Sequence, residues 1–191
     1  MNLDFVKNIE LISYIFIALL CIGCTVNYQT FNINSVNSLE KSLIDKSIKE
    51  IKKNNFYYKG SLLVQKDTII QSDDDVRWEA VDFYFNNQLF ITAESNWLNQ
   101  DVISRVVVWH PELKTNEGIG VGGKFKDLVF LISFDSWKDF PDGFLGFKDR
   151  KNANLIYIMN IEEFPQLAHG TPLSVDSIPK LLEIENIILQ K

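Results

Sequence analysis

The spacing of apolar residues changes several times along the chain, and each change predicts an element. From Leu11 to Cys24 almost every residue is apolar, and no charged side chain occurs between Leu11 and Leu39. A helix crossing the hydrocarbon core needs about 20 apolar residues, whereas an export leader needs an apolar core of roughly 7–15 followed by a small residue. The run fits the leader better, with Gly23 as the small residue, so residues 1–23 are read as a signal peptide; an uncleaved anchor helix is the alternative. Residues 24–34 form a short tether, polar and uncharged from Thr25 to Asn34.

Val36, Leu39, Leu43, Ile44, Ile48 and Ile51 then recur at helical spacing and predict an amphipathic helix. Ser35 or Asn37 caps its start, and Lys49, Lys52 and Lys53 gather at its end, where the helix dipole favours cations. Glu40, Asp45 and Glu50 alternate with lysines on the polar side, the pattern of a solvated back rather than of a helix lying in a membrane surface.

Beyond Asn54 the pattern becomes that of strands. Phe56–Tyr58, Ser61–Ile70, Val81–Phe85, Gln88–Ala93, Ile103–Trp109, Gly143–Lys148, Leu155–Met159 and Ile184–Leu189 are rich in aromatic and branched residues. Asn86-Asn87 supplies turn residues between two alternating runs and predicts a hairpin. Lys124–Leu131 predicts a short helix, and Ser177-Ile178-Pro179 opens a single turn. Strands outnumber helices and most connections are of hairpin length. The expected fold is therefore α+β, with a mainly antiparallel sheet, one N-terminal amphipathic helix and a short helix after a glycine-rich turn, in a single domain over 35–191.

Composition narrows the partners. With 191 residues, 46% of them hydrophobic and 23% charged, the chain has the make-up of one globular domain. Its 19 Lys+Arg against 25 Asp+Glu, net −6, leave no basic field for a phosphate backbone, so no nucleic-acid partner is expected. Cys21 and Cys24 are the only cysteines, and both lie in the apolar run. A chain cut before Cys24 has no second thiol, hence neither an internal disulfide nor thiolate catalysis.

Gly23-Cys24 resembles the lipobox of bacterial lipoproteins, in which the cysteine is acylated and becomes the mature N-terminus. The resemblance implies lipid attachment at Cys24 and a membrane partner held through that anchor. Thr25-Val26-Asn27-Tyr28 lacks the acidic cluster of a surface-sorting signal, which favours an outer-membrane lipoprotein facing the periplasm, with inner-membrane anchoring as the alternative. Ile103 to Leu128, with Pro111, Thr115, Gly118-Ile119-Gly120-Val121-Gly122 and Phe125-Lys126-Asp127-Leu128, resembles uncharacterised exported proteins of Bacteroidota. Asp142-Gly143-Phe144, Leu155–Met159 and Ile178-Pro179 to Ile187 resemble the continuation of that pattern. This likeness implies an envelope location and no particular reaction.

The glycine cluster meets two phosphate motifs by spacing alone. Gly118, Gly120 and Gly123 satisfy a dinucleotide fingerprint, but a loop from His110 to Glu117 separates them from the preceding strand. Gly118 to Lys124 has P-loop spacing, but Phe125 stands where Ser or Thr must bind magnesium. Tight turns and a bulge, with Ile119 and Val121 plugging the core, need less.

The remaining chemistry is sparse. His110 and His169 each sit beside a loop residue and are expected to face water; without HxxxH or CxxC spacing, neither a metal nor a cofactor is expected. Asp73-Asp74-Asp75 is read as a solvated acidic turn, since a calcium loop's glycine and distal Glu are missing. No residue qualifies as catalytic. Trp97, Trp109 and His110 are the candidate binding residues, Trp97 because its polar loop gives a ring little to bury it. Binding or scaffolding at the envelope is the functional expectation. The alternative is a hydrolase built from His110, Asp73 and Asp75.

Overall fold

The structure is a computed structural model that describes residues 28–72, 75–134, 138–140, 143–164, 167 and 174–191. The leader, Cys24, Asp73, Asp74, Asp142 and His169 lie outside the described residues. Among the described residues no helix is long and apolar enough to cross a membrane.

The chain enters through β1 (Thr30–Asn32), within the stretch read as a tether. It pairs in parallel with β2 (Asn55–Tyr58), which in turn pairs antiparallel with β3 (Ser61–Leu62). Between β1 and β2 the apolar stripe from Val36 to Ile51 is carried by two short helices, α1 (Val36–Ser42) and α2 (Ile48–Lys53). They are separated at Asp45, whose φ is +62°. The break is compensated from elsewhere: Asp45 N–H donates to Ile103 O, Ile103 N–H to Lys46 O and Ile48 N–H to Asp101 O, each at 2.9 Å. Backbone groups that a continuous helix would pair internally are thus paired with the start of a strand.

The remaining strands form one eight-stranded sheet. They are β4 (Val64–Gln71), β5 (Arg77–Phe85), β6 (Gln88–Ser95), β7 (Ile103–Val108), β8 (Lys138–Phe140), β9 (Phe144–Lys148), β10 (Leu155–Asn160) and β11 (Ile184–Gln190). Their order is β4-β5-β6-β7-β11-β10-β9-β8, and every pairing is antiparallel. Two meanders are thus joined by β11. A short helix α3 (Phe125–Leu128) succeeds the glycine cluster, where a helix is expected. This is the mainly antiparallel α+β architecture that the strand-rich pattern predicts.

The inner face of this sheet carries the core. Val81, Phe83, Ile91, Ala93, Val106, Val108, Tyr157 and Ile187 are buried there with Val36, Leu39, Ile48 and Ile51 of the helices. Phe56 stacks on Phe31 at 5.0 Å and meets Phe83 edge-on at 5.0 Å, which ties the small sheet to the large one. Each such buried ring contributes about 1.5–3 kcal/mol by leaving water.

Two turns direct the chain at the ends of this sheet. Asn86 and Asn87 both have positive φ, +51° and +64°, so they close the β5–β6 hairpin by the mirror-image turn that suits strand twist. In the glycine cluster, Gly118 and Gly122 have φ of +83° and +77°, while a Cβ on Gly123 would lie 2.9 Å from Gly120 O. Several of the amides a phosphate would need are already spent. Gly122 N–H donates to Ile184 O, Gly123 N–H to Gly120 O and Phe125 N–H to Leu182 O. Ile119 and Val121 pack partly buried against the core, as the turn reading expects.

Candidate functional site

The hairpin register creates a polar strip on the outer face of β5, β6 and β7. A β-bulge between Phe83 and Tyr84 shifts the ladder from Tyr84↔Leu89 to Phe83↔Ile91. Without it Ile91 and Ala93 would turn outward, because a one-residue slip exchanges the two faces. With it Asp82 stands opposite Thr92; in the neighbouring β6–β7 ladder Glu94 stands opposite Arg105.

Two tryptophans anchor into this strip. Trp78 Nε1–H donates to Glu94 Oε2 at 3.0 Å, and Arg105 donates to the same oxygen through Nε at 3.0 Å and Nη2 at 2.5 Å. Glu94 is only 4% exposed, and these donors pair its buried carboxylate. One step along the face, Trp109 Nε1–H donates to Thr92 Oγ1 at 3.0 Å, and the Thr92 hydroxyl donates to Asp82 Oδ1 at 2.7 Å. Each indole is held by its polar edge, which leaves the ring faces for other contacts. Trp109 is 38% exposed.

Toward β11 and β10 the same face turns apolar. Val107, Ile156, Ile158 and Ile188 form a second hydrophobic cluster, separate from the core, with Phe144 against it. Asn186 sits within this surface, opposite Ile158 and 9% exposed, and its Oδ1 is buried with no hydrogen-bond partner.

His110 departs from expectation. It is buried at 7% exposure rather than facing water, on the inner side, with its ring 5.4 Å from Phe90 and 5.9 Å from Phe85. Its Nε2 meets Gln88 Oε1 at 3.0 Å and its Nδ1 accepts Glu112 N–H at 3.3 Å. That pairing fixes the Nε2–H tautomer and leaves neither nitrogen free as a base. The physical reason is local: Trp109 N–H still pairs with Phe90 O, so the strand alternation carries Trp109 outward and His110 inward. The two neighbours therefore do not share a site. Trp97, at 58% exposure beside Leu98 at 76%, lies in the β6–β7 loop. Gln100 Nε2, in the same loop, donates to Arg77 O, which sets that loop beside the start of β5 and hence near Trp78.

Of the residues of the hydrolase alternative, Asp75 and His110 are not brought together, and Asp73 lies outside the described residues. Asp75 lies in the β4–β5 turn, where its Oδ1 accepts from Gln71 Nε2, while His110 lies at the Gln88 end of the same sheet. The nine residues of β5 separate those ends, roughly 25 Å at strand rise. Among the described residues no three His, Cys, Asp or Glu side chains are grouped to hold a metal.

A second buried polar group serves the glycine cluster. Tyr157 OH donates to Asp149 Oδ2 at 3.0 Å, and burial followed by the Asp149 charge holds its phenol far above the ordinary tyrosine range. Asp149 Oδ1 accepts the N–H groups of Lys151 and Asn152, and Thr115 Oγ1 accepts that of Ile119. These bonds fix turns and leave no open chemistry. On the surface, hydrogen bonding to Glu79 raises Lys52, and the Lys59–Glu112 pair raises the lysine and lowers the carboxylate.

Trp78, Glu94, Arg105, Thr92 and Asn186 are functional candidates that sequence reasoning misses. Their signal is alternation, polar Asp82, Thr92 and Glu94 against apolar Val81, Ile91 and Ala93, but its register depends on the bulge.

The fold and this strip define an α+β protein with a tryptophan-bearing outer sheet face. No protein family and no curated protein matches the chain. Among solved structures it is similar to the uncharacterized protein yfeY of Escherichia coli, at 12% identity over 85% of this chain and 100% of that chain, with a TM-score of 0.52. At that identity the likeness shows the fold alone.

Proposed function

We propose that this chain is a lipid-anchored protein of the bacterial cell envelope, attached through Cys24, whose domain works by binding rather than by catalysis. The observation that carries the binding reading is the outer strip: Trp78 and Trp109 are oriented by Glu94 and Thr92, and Trp109 is partly exposed there. The apolar run ending in Gly23-Cys24 supports the anchor and the envelope location. Periplasm-facing attachment to the outer membrane is the form we favour.

Metabolic labelling with an alkyne fatty acid tests the anchor. Cells expressing the wild type should yield labelled protein beginning at Cys24, and Cys24→Ala should abolish the label. Unlabelled wild type that retains Met1 would overturn the lipid anchor in favour of an uncleaved helix.

A further inference from the structure

We propose that β4 is a docking edge for an extended peptide of a partner protein, which adds to the sheet as an antiparallel strand with a basic side chain opposite Asp67 and an apolar one opposite Ile69. This surface is separate from the tryptophan strip and requires neither the strip nor the lipid anchor.

The free edge follows from the register. β4 ends the order of the large sheet, and its 8 residues run against β5 without a bulge, from Val64↔Tyr84 to Gln71↔Arg77. Just beyond, Ser72 N–H donates to Val76 O at 2.9 Å, which makes that step a hydrogen-bonded pair. Alternation then gives the bonds with β5 to Ile70, Thr68, Lys66 and Val64. It turns the N–H and C=O groups of Gln71, Ile69, Asp67 and Gln65 away from the sheet. Among the described residues no other backbone group pairs with them. An added strand matches such a row of alternating donors and acceptors.

Sheet edges deter pairing by being short, by proline, by a bulge or by projecting charge. β4 is long, lacks proline and keeps its register, and its charges are folded back. Lys66 Nζ lies 4.4 Å from the centre of the Tyr84 ring, and Asp67 Oδ2 lies 3.4 Å from Lys52 Nζ. Ile69, by contrast, is 71% exposed.

A cavity beside the edge selects the side chains. Gln65, Asp67 and Ile69 stand opposite Phe83, Val81 and Glu79, so they share the sheet face that carries the core. There Lys52 of α2, Asp67, Thr68, Ile69 and Glu79 line an open cavity of about 550 Å³. Lys52 Nζ also meets Glu79 Oε2 at 2.8 Å, so within this lining one cation serves two carboxylates and a negative charge is left over. A basic side chain from the added strand balances it, and an apolar one two positions away covers Ile69. A second copy of the chain fits less well. Paired edge to edge through a two-fold axis, it brings another Asp67 to this face and sets Lys66 on the opposite one.

Fluorescence anisotropy of the purified full chain with the labelled heptapeptide Thr-Ser-Val-Thr-Lys-Ser-Thr tests this, since the antiparallel fit sets its Val over Ile69 and its Lys over Asp67. The peptide should bind saturably, and exchanging its Lys for Glu should weaken binding about tenfold. Asp67→Lys should reverse that order, so that the Glu peptide binds better. Methylating the backbone nitrogens of the peptide's Val and Lys should abolish binding, because those N–H groups point at β4. Absence of saturable binding, equal binding of the methylated peptide, or an order of the two peptides that Asp67→Lys leaves unchanged would overturn the proposal. Light scattering should find the free chain monomeric; a dimer whose formation excludes the peptide would give the edge to a second copy and overturn it as well.

Discussion

Glu94 faces Arg105 directly across the β6–β7 ladder and receives both Nε and Nη2 of its guanidinium on the oxygen that also accepts Trp78. Three donors on one buried oxygen make that carboxylate the hinge of the strip. Glu94→Ala should destabilise the domain by about 1–3 kcal/mol, since Trp78 Nε1 and the partly exposed Arg105 lose their acceptor together. Glu94→Gln, which keeps an acceptor, should lose less than half of that in urea unfolding. Equal losses for the two variants would show that the ion pair, not the hydrogen bonds, carries the effect.

Asn186 gives a prediction of opposite sign. Replacing it by Leu removes a buried oxygen that has no partner and adds apolar contact with Ile158 and Ile188. The variant should gain about 1 kcal/mol. A lowered midpoint in thermal unfolding would show that the amide makes a compensating bond.

Tyr157 predicts an alkaline weakness. Its phenol pKa is raised in the folded protein, so above pH ~10 the unfolded chain releases a proton that the folded chain keeps. Stability is unaffected below that pH and falls above it, by at most about 1.4 kcal/mol per pH unit. Ultraviolet titration should leave one tyrosine un-ionised until the protein unfolds, and Tyr157→Phe should remove that part of the slope. The same variant costs about 1–3 kcal/mol at neutral pH because Asp149 loses a donor.

Gly123→Ala should destabilise more than Gly122→Ala. The first drives a Cβ against the Gly120 carbonyl, whereas the second meets open space and carries only the cost of positive φ, about 1 kcal/mol. Neither should alter affinity for ATP or NAD, measured by isothermal titration, because the Gly122 and Phe125 amides are spent on the Leu182–Ile184 segment and that of Gly123 on Gly120 O.

The central strands were legible because β5, β6, β7, β9, β10 and β11 carry buried apolar residues; the Asn86-Asn87 hairpin appears where two alternating runs flank that dipeptide. The strip was not. A two-residue turn read without a bulge places Asp82 opposite Ile91, and the actual register depends on one extra residue that no local composition signals. The stripe from Val36 to Ile51 shows a related limit: its period is continuous, but the break at Asp45 is set by Asp101 and Ile103, more than fifty residues away. His110 shows a third, since Pro111 suggests a loop while strand alternation has already turned the ring inward.

The arrangement of β11 bears on synthesis. Residues 184–190 are made after the seven strands they join, yet they occupy the middle of the sheet, between β7 and β10. Until they emerge, each meander must wait with an open margin where its neighbour belongs. The sheet therefore cannot close progressively as the chain emerges, and β11 acts as the wedge that locks two waiting halves into one.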